Sequence, residues 1–331
     1  MQVFVTGATG FVGANLVRLL LKQGYQVRVL VRPESLRTNL QDLDVEIVTG
    51  DLLDPGVVKH LRGCQVLFHV AAHYSLWRTE RDQLYRNNVL GTRNILKAAR
   101  DASIERTVYT SSVAAIGVPD SGAIANETYQ SSIEKLIGAY KQSKYLAEQE
   151  AFHAISIGQD IVIVNPSTPI GPWDLKPTPT GDMILRFLRR QMPFYLNTGL
   201  NLIHVRDVAQ GHLLALEKGK TGERYILGNR NLTLQEILAQ LSEITGLPEP
   251  RSGLPAWIPL TAAWIDECVL APLGKTPSVP LAGVKMAKQK MFYDASKAVQ
   301  DLGLPQTDVR VALREAVDWF IHHDYVPNWQ G

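Results

Sequence analysis

The chain is poor in the residues that mark several functional classes. It has two cysteines, Cys64 and Cys268, in 331 residues. Two thiols so far apart make neither a disulfide framework nor a zinc site, so a reducing, cytoplasmic setting is the expectation. The net charge is only +2, and no dense Lys/Arg run favours a nucleic-acid partner. The eight histidines show no ligand spacing, so no metal is expected; the adjacent His322 and His323 read as a surface pair. No apolar run is long enough to span a bilayer. The nearest, 254–273, is broken by Pro255, Pro259, Asp266, Glu267 and Pro272. Its Trp257 and Trp264 suit a lipophilic pocket or a weak membrane-surface contact, with a helix packed over a cleft or core as the preferred reading. The first strand begins at Gln2 or Val3, so no removable leader is expected. Internal repeats and low-complexity tracts are also missing.

What is present is ordinary for a soluble globular protein: 45% hydrophobic and 20% charged residues, in a length suited to about two domains or one large α/β unit. Strand and helix alternate through the first half. Short apolar strands are predicted at 3–5, 25–31, 45–48, 66–71, 107–110 and 161–164. Helices are predicted at 11–23, 54–61, 82–100 and 132–154. This alternation implies right-handed crossovers and a parallel, doubly wound α/β sheet of the Rossmann type. After Pro166 the character changes. Pro166, Pro169, Pro172, Pro177 and Pro179 crowd together and predict an irregular loop. Thr233-Leu234-Gln235-Glu236 is a capping box that opens a helix over 234–245, and a terminal helix is predicted over 311–322. The expected division is a dinucleotide-binding domain over 1–166, with a return segment near 200–228. A smaller, mainly helical C-terminal substrate region would be built from 167–199 and 229–331.

Thr6-Gly7-Ala8-Thr9-Gly10-Phe11-Val12-Gly13 places three glycines straight after a strand and at the start of a helix. Glycine lets backbone approach a pyrophosphate, and the helix N-terminus offers free N–H groups and a favourable dipole. Context makes the pattern strong; in isolation it would be a tight turn. Gly7, Thr9, Gly10, Phe11, Val12 and Gly13 are therefore candidate dinucleotide contacts. Strand two ends in Val31-Arg32-Pro33, without the carboxylate that would bind ribose hydroxyls. Arg32, helped by Ser35 or Arg37, suits a 2′-phosphate instead. NADP(H) is therefore preferred, with NAD(H) as the alternative. Asp51 and Leu52 follow strand three at the adenine edge. Val70, Ala71 and Ala72 close strand four, where backbone must pass near the dinucleotide.

Tyr140 and Lys144 lie four apart on a predicted helix and so share a face. A nearby cation favours a phenolate, which suits proton exchange with a hydroxyl or carbonyl oxygen. Such a pair is common on solvated helices. The glycine turn and the Ser111-Ser112 pair at the end of strand five give it weight. Strand alternation puts Ser111 on the other side from Ser112, so Ser112 is chosen as the substrate-facing hydroxyl.

The glycines at 7, 10 and 13, Ser112 and Tyr140-x-x-x-Lys144 together resemble the extended short-chain dehydrogenase/reductase family. The likeness covers nearly the whole chain and includes Asp51-Leu52, Asn88-x-x-Gly91-Thr92, Pro166 with Gly171-Pro172, and the run from His204 to Ala209. Within the family the chain looks like the dihydroflavonol-4-reductase-like branch. It is most similar there to the hopanoid-associated sugar epimerases, through the runs 165–172, 176–181 and 198–201. The resemblance implies Tyr140 as general acid/base and Lys144 as the group that holds the nicotinamide ribose and tunes Tyr140. Ser112 would orient the substrate oxygen. Asn88 would position the active-site helix or a relay water. Pro166 and Ser167 join the implied dinucleotide contacts. Family members often dimerise through the helices carrying Asn88 and Tyr140, so a homodimer is expected by analogy.

The reaction implied is reversible hydride transfer at a carbon bearing a hydroxyl or carbonyl, acting on a small molecule. Substrate contacts are expected from His73, Tyr74, Trp77 and Thr168, with 116–119 and the proline loop through Thr180 as further walls. His69 reads as buried and structural. Arg206 is placed either to meet a diphosphate or to pair with a neighbouring acid. Ser112 is followed by Val113 and Ala114, not by acids, which argues against dehydration. Ile116 before Gly117, where many epimerases carry tyrosine, weakens simple sugar epimerisation. Three functions remain: an NADP-dependent reductase or dehydrogenase, a nucleotide-sugar epimerase that recycles its cofactor, and, well behind, a dinucleotide sensor without turnover.

Overall fold

The computed structural model describes residues 1–192, 194–250, 281–286, 289–327 and 329. The run 254–273, with Trp257, Trp264 and Cys268, lies outside the described residues, and so does its membrane-surface reading. A parallel sheet of seven strands runs in the order β3-β2-β1-β4-β5-β6-β9. Its strands are β1 (Gln2–Thr6), β2 (Gln26–Val31), β3 (Glu46–Thr49), β4 (Val66–His69), β5 (Arg106–Thr110), β6 (Ile161–Pro166) and β9 (Arg224–Leu227). Strands β4 and β6 are buried along their whole length, as continuous apolar runs covered on both faces should be. The strand order reverses direction between β1 and β4, and the crevice at their carboxyl ends is where an open α/β sheet binds ligand.

Helices cover both faces. On one side lie α1 (Phe11–Lys22) and α8 (Val205–Lys218), whose Leu16, Val17, Leu20, Val208 and Leu213 pack with the sheet into one core. On the other side lie α4 (Gly91–Asp101) and α6 (Ala139–Ser156). Here Ile95 and Leu96 meet Ala147, Ala151 and Ala154. The three alanines fall on one helical face and let α6 lie close to β5 and β6.

Two predicted helices differ from their outlines. The helix expected over 82–100 starts at Arg81 and carries a π-helical stretch, Tyr85–Leu90, before α4. The extra residue in a π turn rotates the side chains after it and often marks a functional position. The helix expected over 132–154 starts only at Ala139, because Gly138 takes φ +88°, a left-handed conformation that suits glycine. The proline-rich stretch is more ordered than predicted. It contains the strand β7 (Thr168–Ile170) and the helix α7 (Pro179–Leu188), which Thr178 caps with its hydroxyl. Proline fits the first helical turn, which has no N–H partner to lose.

The C-terminal region adds a four-stranded sheet to its helices. Strand β8 (Gly199–His204) pairs antiparallel with β10 (Arg230–Thr233) and parallel with β7 and with β11 (Lys290–Met291). The expected capping box at Thr233 and Glu236 is formed and opens α9 (Leu234–Thr245). This helix packs with α7 and the terminal helix Val309–His322 around Phe320, Leu313 and Ile237. The chain returns to the main sheet at β9.

His212 on α8 is fully buried. Its Nδ1 lies 2.7 Å from the Val208 carbonyl and its Nε2 lies 2.8 Å from the Thr110 hydroxyl. Burial pushes this imidazole down to about 4. It is neutral in the fold, while the unfolded chain takes up a proton below about 6.5. Its contribution is therefore complete above that value and is lost as pH falls toward about 4. The unfolding free energy of the wild type relative to His212→Gln, measured in urea, should fall by up to roughly 3 kcal/mol across that window. A difference that stays flat with pH would contradict the neutral, buried assignment.

Candidate active site

A cleft of ≈ 590 Å³ opens at the carboxyl ends of β1 and β4. Its dinucleotide end is made by the turn between β1 and α1. Gly7 takes φ +73°, and a Cβ there would lie 2.6 Å from the Ala71 nitrogen. A Cβ on Gly13 would lie 2.1 Å from the Gly7 carbonyl oxygen. Two backbone segments thus approach at a distance that leaves no room for side chains. Gly10 caps α1 without a side-chain bond, and no acid stands in the first turn, so free N–H groups and the positive helix end face the cleft. The neighbouring turn is pinned by a buried chain. The Ala71 N–H donates to Thr6 Oγ1 at 3.2 Å. Thr6 Oγ1 lies 2.8 Å from His69 Nδ1, and His69 Nε2 lies 3.0 Å from Thr92 Oγ1. His69 is buried and structural, as read from sequence, and burial pushes it down to about 3. The cradle fits a dinucleotide pyrophosphate.

At the other end, Ser112 caps the short helix Val113–Ile116, with Oγ accepting from the Ala114 N–H at 3.1 Å. Tyr140, in the first turn of α6, borders the cleft together with Ser112. Burial pushes its phenol up to about 12, with the Ser112 hydroxyl pulling the other way. The Tyr74 ring stands edge-on to Tyr140, with centroids 4.6 Å apart. Lys144, expected to tune the phenol, has its own backbone partner. Lys144 is buried behind the cleft wall, and its Nζ donates to the Thr110 carbonyl at 3.0 Å. Burial holds this ammonium down to about 8, partly offset by the Glu148 carboxylate. Helical spacing aligns the two residues, and the end of β5 supplies the ammonium with an acceptor.

Most of the residues expected at the dinucleotide border the cleft: Gly7, Thr9, Gly10, Phe11, Val12, Gly13, Arg32, Asp51, Leu52, Val70, Ala71, Ala72 and Ser167. Asn88, Lys144 and Pro166 do not. Asn88 is instead a buried clamp. Its Oδ1 accepts from the His73 N–H at 2.7 Å, and its Nδ2 donates to the His73 carbonyl at 2.9 Å and to Ser143 Oγ at 2.9 Å. Ser143 Oγ in turn donates to the Tyr140 carbonyl at 2.8 Å. The π turn directs Asn88 to α6 while its neighbour Asn87 borders the cleft. Arg32 borders the cleft with Ser35, and its guanidinium also lies 3.3 Å from Glu34, a carboxylate the sequence reading passed over. Both side chains are exposed, so that pair is weak and easily exchanged.

Among the expected substrate contacts, His73, Tyr74 and Thr168 border the cleft. Trp77 does not; its backbone N–H is turned to Ser75 Oγ at 3.1 Å. The stretch 116–119 is also not part of the wall, because Ile116 is fully buried beneath it. Val113 and Ala114 take that place. The proline loop contributes as expected through Thr178, Pro179 and Thr180. Arg206 does not reach the cleft: it pairs with Glu315, and its Nη2 lies 3.2 Å from His204 Nε2. Among the described residues no cluster of three or more His, Cys, Asp or Glu could hold a metal ion, and no helix is long and apolar enough to cross a membrane.

Residues 3–228 match the model of the NAD dependent epimerase/dehydratase family. The chain belongs to that family. This enzyme is thus an NAD(P)-dependent oxidoreductase of the extended short-chain dehydrogenase/reductase type. It is 68% identical over 327 residues to the Synechocystis protein named "Putative dihydroflavonol 4-reductase", covering 98% of this chain and 95% of that one. It is 36% identical to "Sterol demethylase protein B" of Methylococcus capsulatus, covering 97% of this chain and 98% of that one. The crystal structure of gox2253 superimposes with a TM-score of 0.88 at 44% identity, covering 98% of each chain.

The oxidoreductase also has cleft residues that sequence reasoning missed: Lys141, Met183, Leu200, Met286, Met291 and Tyr293. Lys141 and Leu200 stood within recognised motifs, though neither was read as a cleft residue. The others come from α7, the small sheet and the helix Leu281–Met286, and converge through long-range packing that no local spacing reports.

The glycine cradle makes a direct prediction. Gly13→Ala places a methyl group against the Gly7 carbonyl, and an overpacking cost of about 1–3 kcal/mol should weaken dinucleotide binding about tenfold or more. Fluorescence titration with NADPH and with NADH measures this. Unchanged affinity for both would remove the cradle from the binding site.

Proposed function

We propose that this enzyme transfers hydride between NADP(H) and a secondary alcohol or ketone on a substrate of apolar character, working in the direction of reduction. The observation that carries this reading is the Tyr140–Ser112 hydroxyl pair on the wall of a cleft that also contains the glycine cradle. The dinucleotide, when bound, supplies or accepts the hydride. Ser112 donates a hydrogen bond to the substrate oxygen and holds it at the Tyr140 phenol. The phenol is protonated near neutral pH, and burial raises it further, so its proton is available to the oxygen on which charge develops. Tyr74, Val113, Ala114, Met183, Met291 and Tyr293 exclude water from the reacting carbon.

The supporting division is a dinucleotide-binding domain over 1–166 with a return over 200–228, and a substrate region over 167–199 and 229–331. Arg32, at the adenosine end with Ser35, favours NADP(H) over NAD(H). A nucleotide-sugar epimerase, the alternative, has a diphosphate to bind. Arg206, its candidate partner, is engaged by Glu315, and among the described residues the cations bordering the cleft are Arg32 and Lys141. This favours a substrate without a nucleotide. The names of the relatives, a dihydroflavonol reductase and a sterol demethylase component, agree with a polycyclic or aromatic body.

Net loss of the nicotinamide absorbance band is expected when NADPH and an aryl alkyl ketone are supplied. Conversion of a nucleotide sugar to its epimer with no net cofactor consumption would overturn the reductase reading. Tyr140→Phe should lower kcat about 10²-fold or more, with NADPH affinity retained. A variant that still turns over at the wild-type rate would remove Tyr140 from the chemistry. Arg32→Ala should lower the NADPH-over-NADH ratio of kcat/KM about tenfold, the loss of one charge-assisted phosphate bond. An unchanged ratio would assign cofactor choice elsewhere.

A further inference from the structure

Lys141 follows Tyr140 on α6 and serves no purpose in the hydride-transfer step. Its side chain is 5% exposed, and it borders the cleft. Among the described residues its one polar contact is Met291 Sδ at 3.9 Å. A thioether is a weak acceptor, whereas an ammonium has three donors to satisfy. No carboxylate of the described residues forms an ion pair with it. Lys144, one turn further on, shows the contrast: it is equally buried but donates to the Thr110 carbonyl at 3.0 Å, with Glu148 near enough to favour its charge.

A buried, unpaired ammonium is costly, and an apolar side chain of similar length would pack against Met291 without that cost. Burial lowers Lys141 to about 8, which leaves it mostly charged near neutral pH. The surrounding wall is apolar: Met183, Leu200, Met286, Met291 and Tyr293. An ordinary structural explanation would supply an acceptor from the protein; among the described residues there is none beyond the Met291 thioether, and the side chain borders the cleft.

We propose that Lys141 anchors a carboxylate carried by the substrate, so that this enzyme acts on an oxo or hydroxy acid with an otherwise apolar body. The inference deepens the reductase reading and rests on it. One ammonium matches one carboxylate; a diphosphate would leave a charge unanswered in a low-dielectric wall. Consecutive helix positions diverge by about 100°. The carboxylate therefore sits on a part of the substrate distinct from the carbon held by Tyr140 and Ser112, and two separated contacts fix the orientation of the body between them. Lys141 is in this role a specificity-determining residue.

The test uses para-acetylbenzoate and its neutral counterpart para-methylacetophenone as probes on the enzyme saturated with NADP+. Calorimetry should show the acid binding about tenfold tighter than the neutral ketone, as for one desolvated charge-assisted contact. Lys141→Met should bring that ratio close to one, and Lys141→Arg should keep a preference for the acid. The same ratio in the wild type and Lys141→Met would overturn the proposal. Thermal melting guards against a merely structural role. Lys141→Met should melt at or above the wild-type temperature, because an unpaired buried charge has been removed; a large drop would show that the ammonium holds the fold and would also overturn the proposal. Turnover separates the two readings. If neither ketone consumes NADPH, the reductase reading fails, while the binding ratio still decides whether Lys141 receives a carboxylate.

Discussion

Everything in the site depends on how closely two backbone turns approach at the ends of β1 and β4. The Gly7 α-carbon faces the backbone of Val70 and Ala71, and Gly13 on α1 faces the Gly7 carbonyl, each at a distance a Cβ would not tolerate. This contact fixes the angle at which α1 leaves the sheet, and so where its free N–H groups point. It also fixes the path of the chain after β4, which becomes the floor of the cleft. The Thr6–His69–Thr92 chain holds the floor from beneath, because each of its buried polar atoms has its partner in the next. An unsatisfied atom there would cost about as much as a lost hydrogen bond, so the two turns hold one relative position.

A second constraint places the chemistry against that floor. Asn165 on β6 donates from Nδ2 to the Ser112 carbonyl at 3.1 Å and to Glu148 on α6 at 2.8 Å. Glu148 is fully buried and also accepts from Arg224 on β9 at 3.1 Å. One amide thereby ties the Ser112 turn and the Tyr140 helix to the same strand. On the far side, Asn88 ties the His73 loop to Ser143 and, through it, to the Tyr140 backbone. Removing one partner of a buried, charged network costs about 3–5 kcal/mol. The two hydroxyls are positioned by neighbours that never meet the substrate, which is how a fold keeps reacting groups within a fraction of an ångström.

The sheet was legible in sequence because its strands are short apolar runs bounded by turns, and burial on both faces gives such runs a plain pattern. The glycine turn and the face shared by Tyr140 and Lys144 were legible for the same reason: each is a local spacing. Three kinds of feature were not. The start of α6 at Ala139 depends on the backbone of Gly138, while the helical pattern alone continues back to Ser132. The strand β7 hides among prolines because it pairs with β8, about thirty residues on, and no local propensity reports that partner. The apolar wall of Met183, Met286, Met291 and Tyr293 gathers from three separate segments. Trp77 illustrates the opposite error: an aromatic residue beside the right strand suggested a pocket wall, but the Ser75 turn carries the chain away from the cleft.

The electrostatics of α6 set the form in which the acid/base group meets the substrate. Spacing alone suggested that an ammonium one turn away would draw the phenol toward its ionised form. In the fold that ammonium is held by the Thr110 carbonyl, and burial governs the phenol instead, pushing it up to about 12. A protonated phenol is the acid for a ketone oxygen, and in the reverse reaction the same oxygen takes the proton of the alcohol. The same low-dielectric wall makes any charge inside it expensive, and so makes a charge retained there informative. Lys144 is compensated by a backbone carbonyl and by Glu148. Lys141, three residues earlier, has no comparable compensation from the described protein, so the compensating charge is best assigned to what the cleft receives.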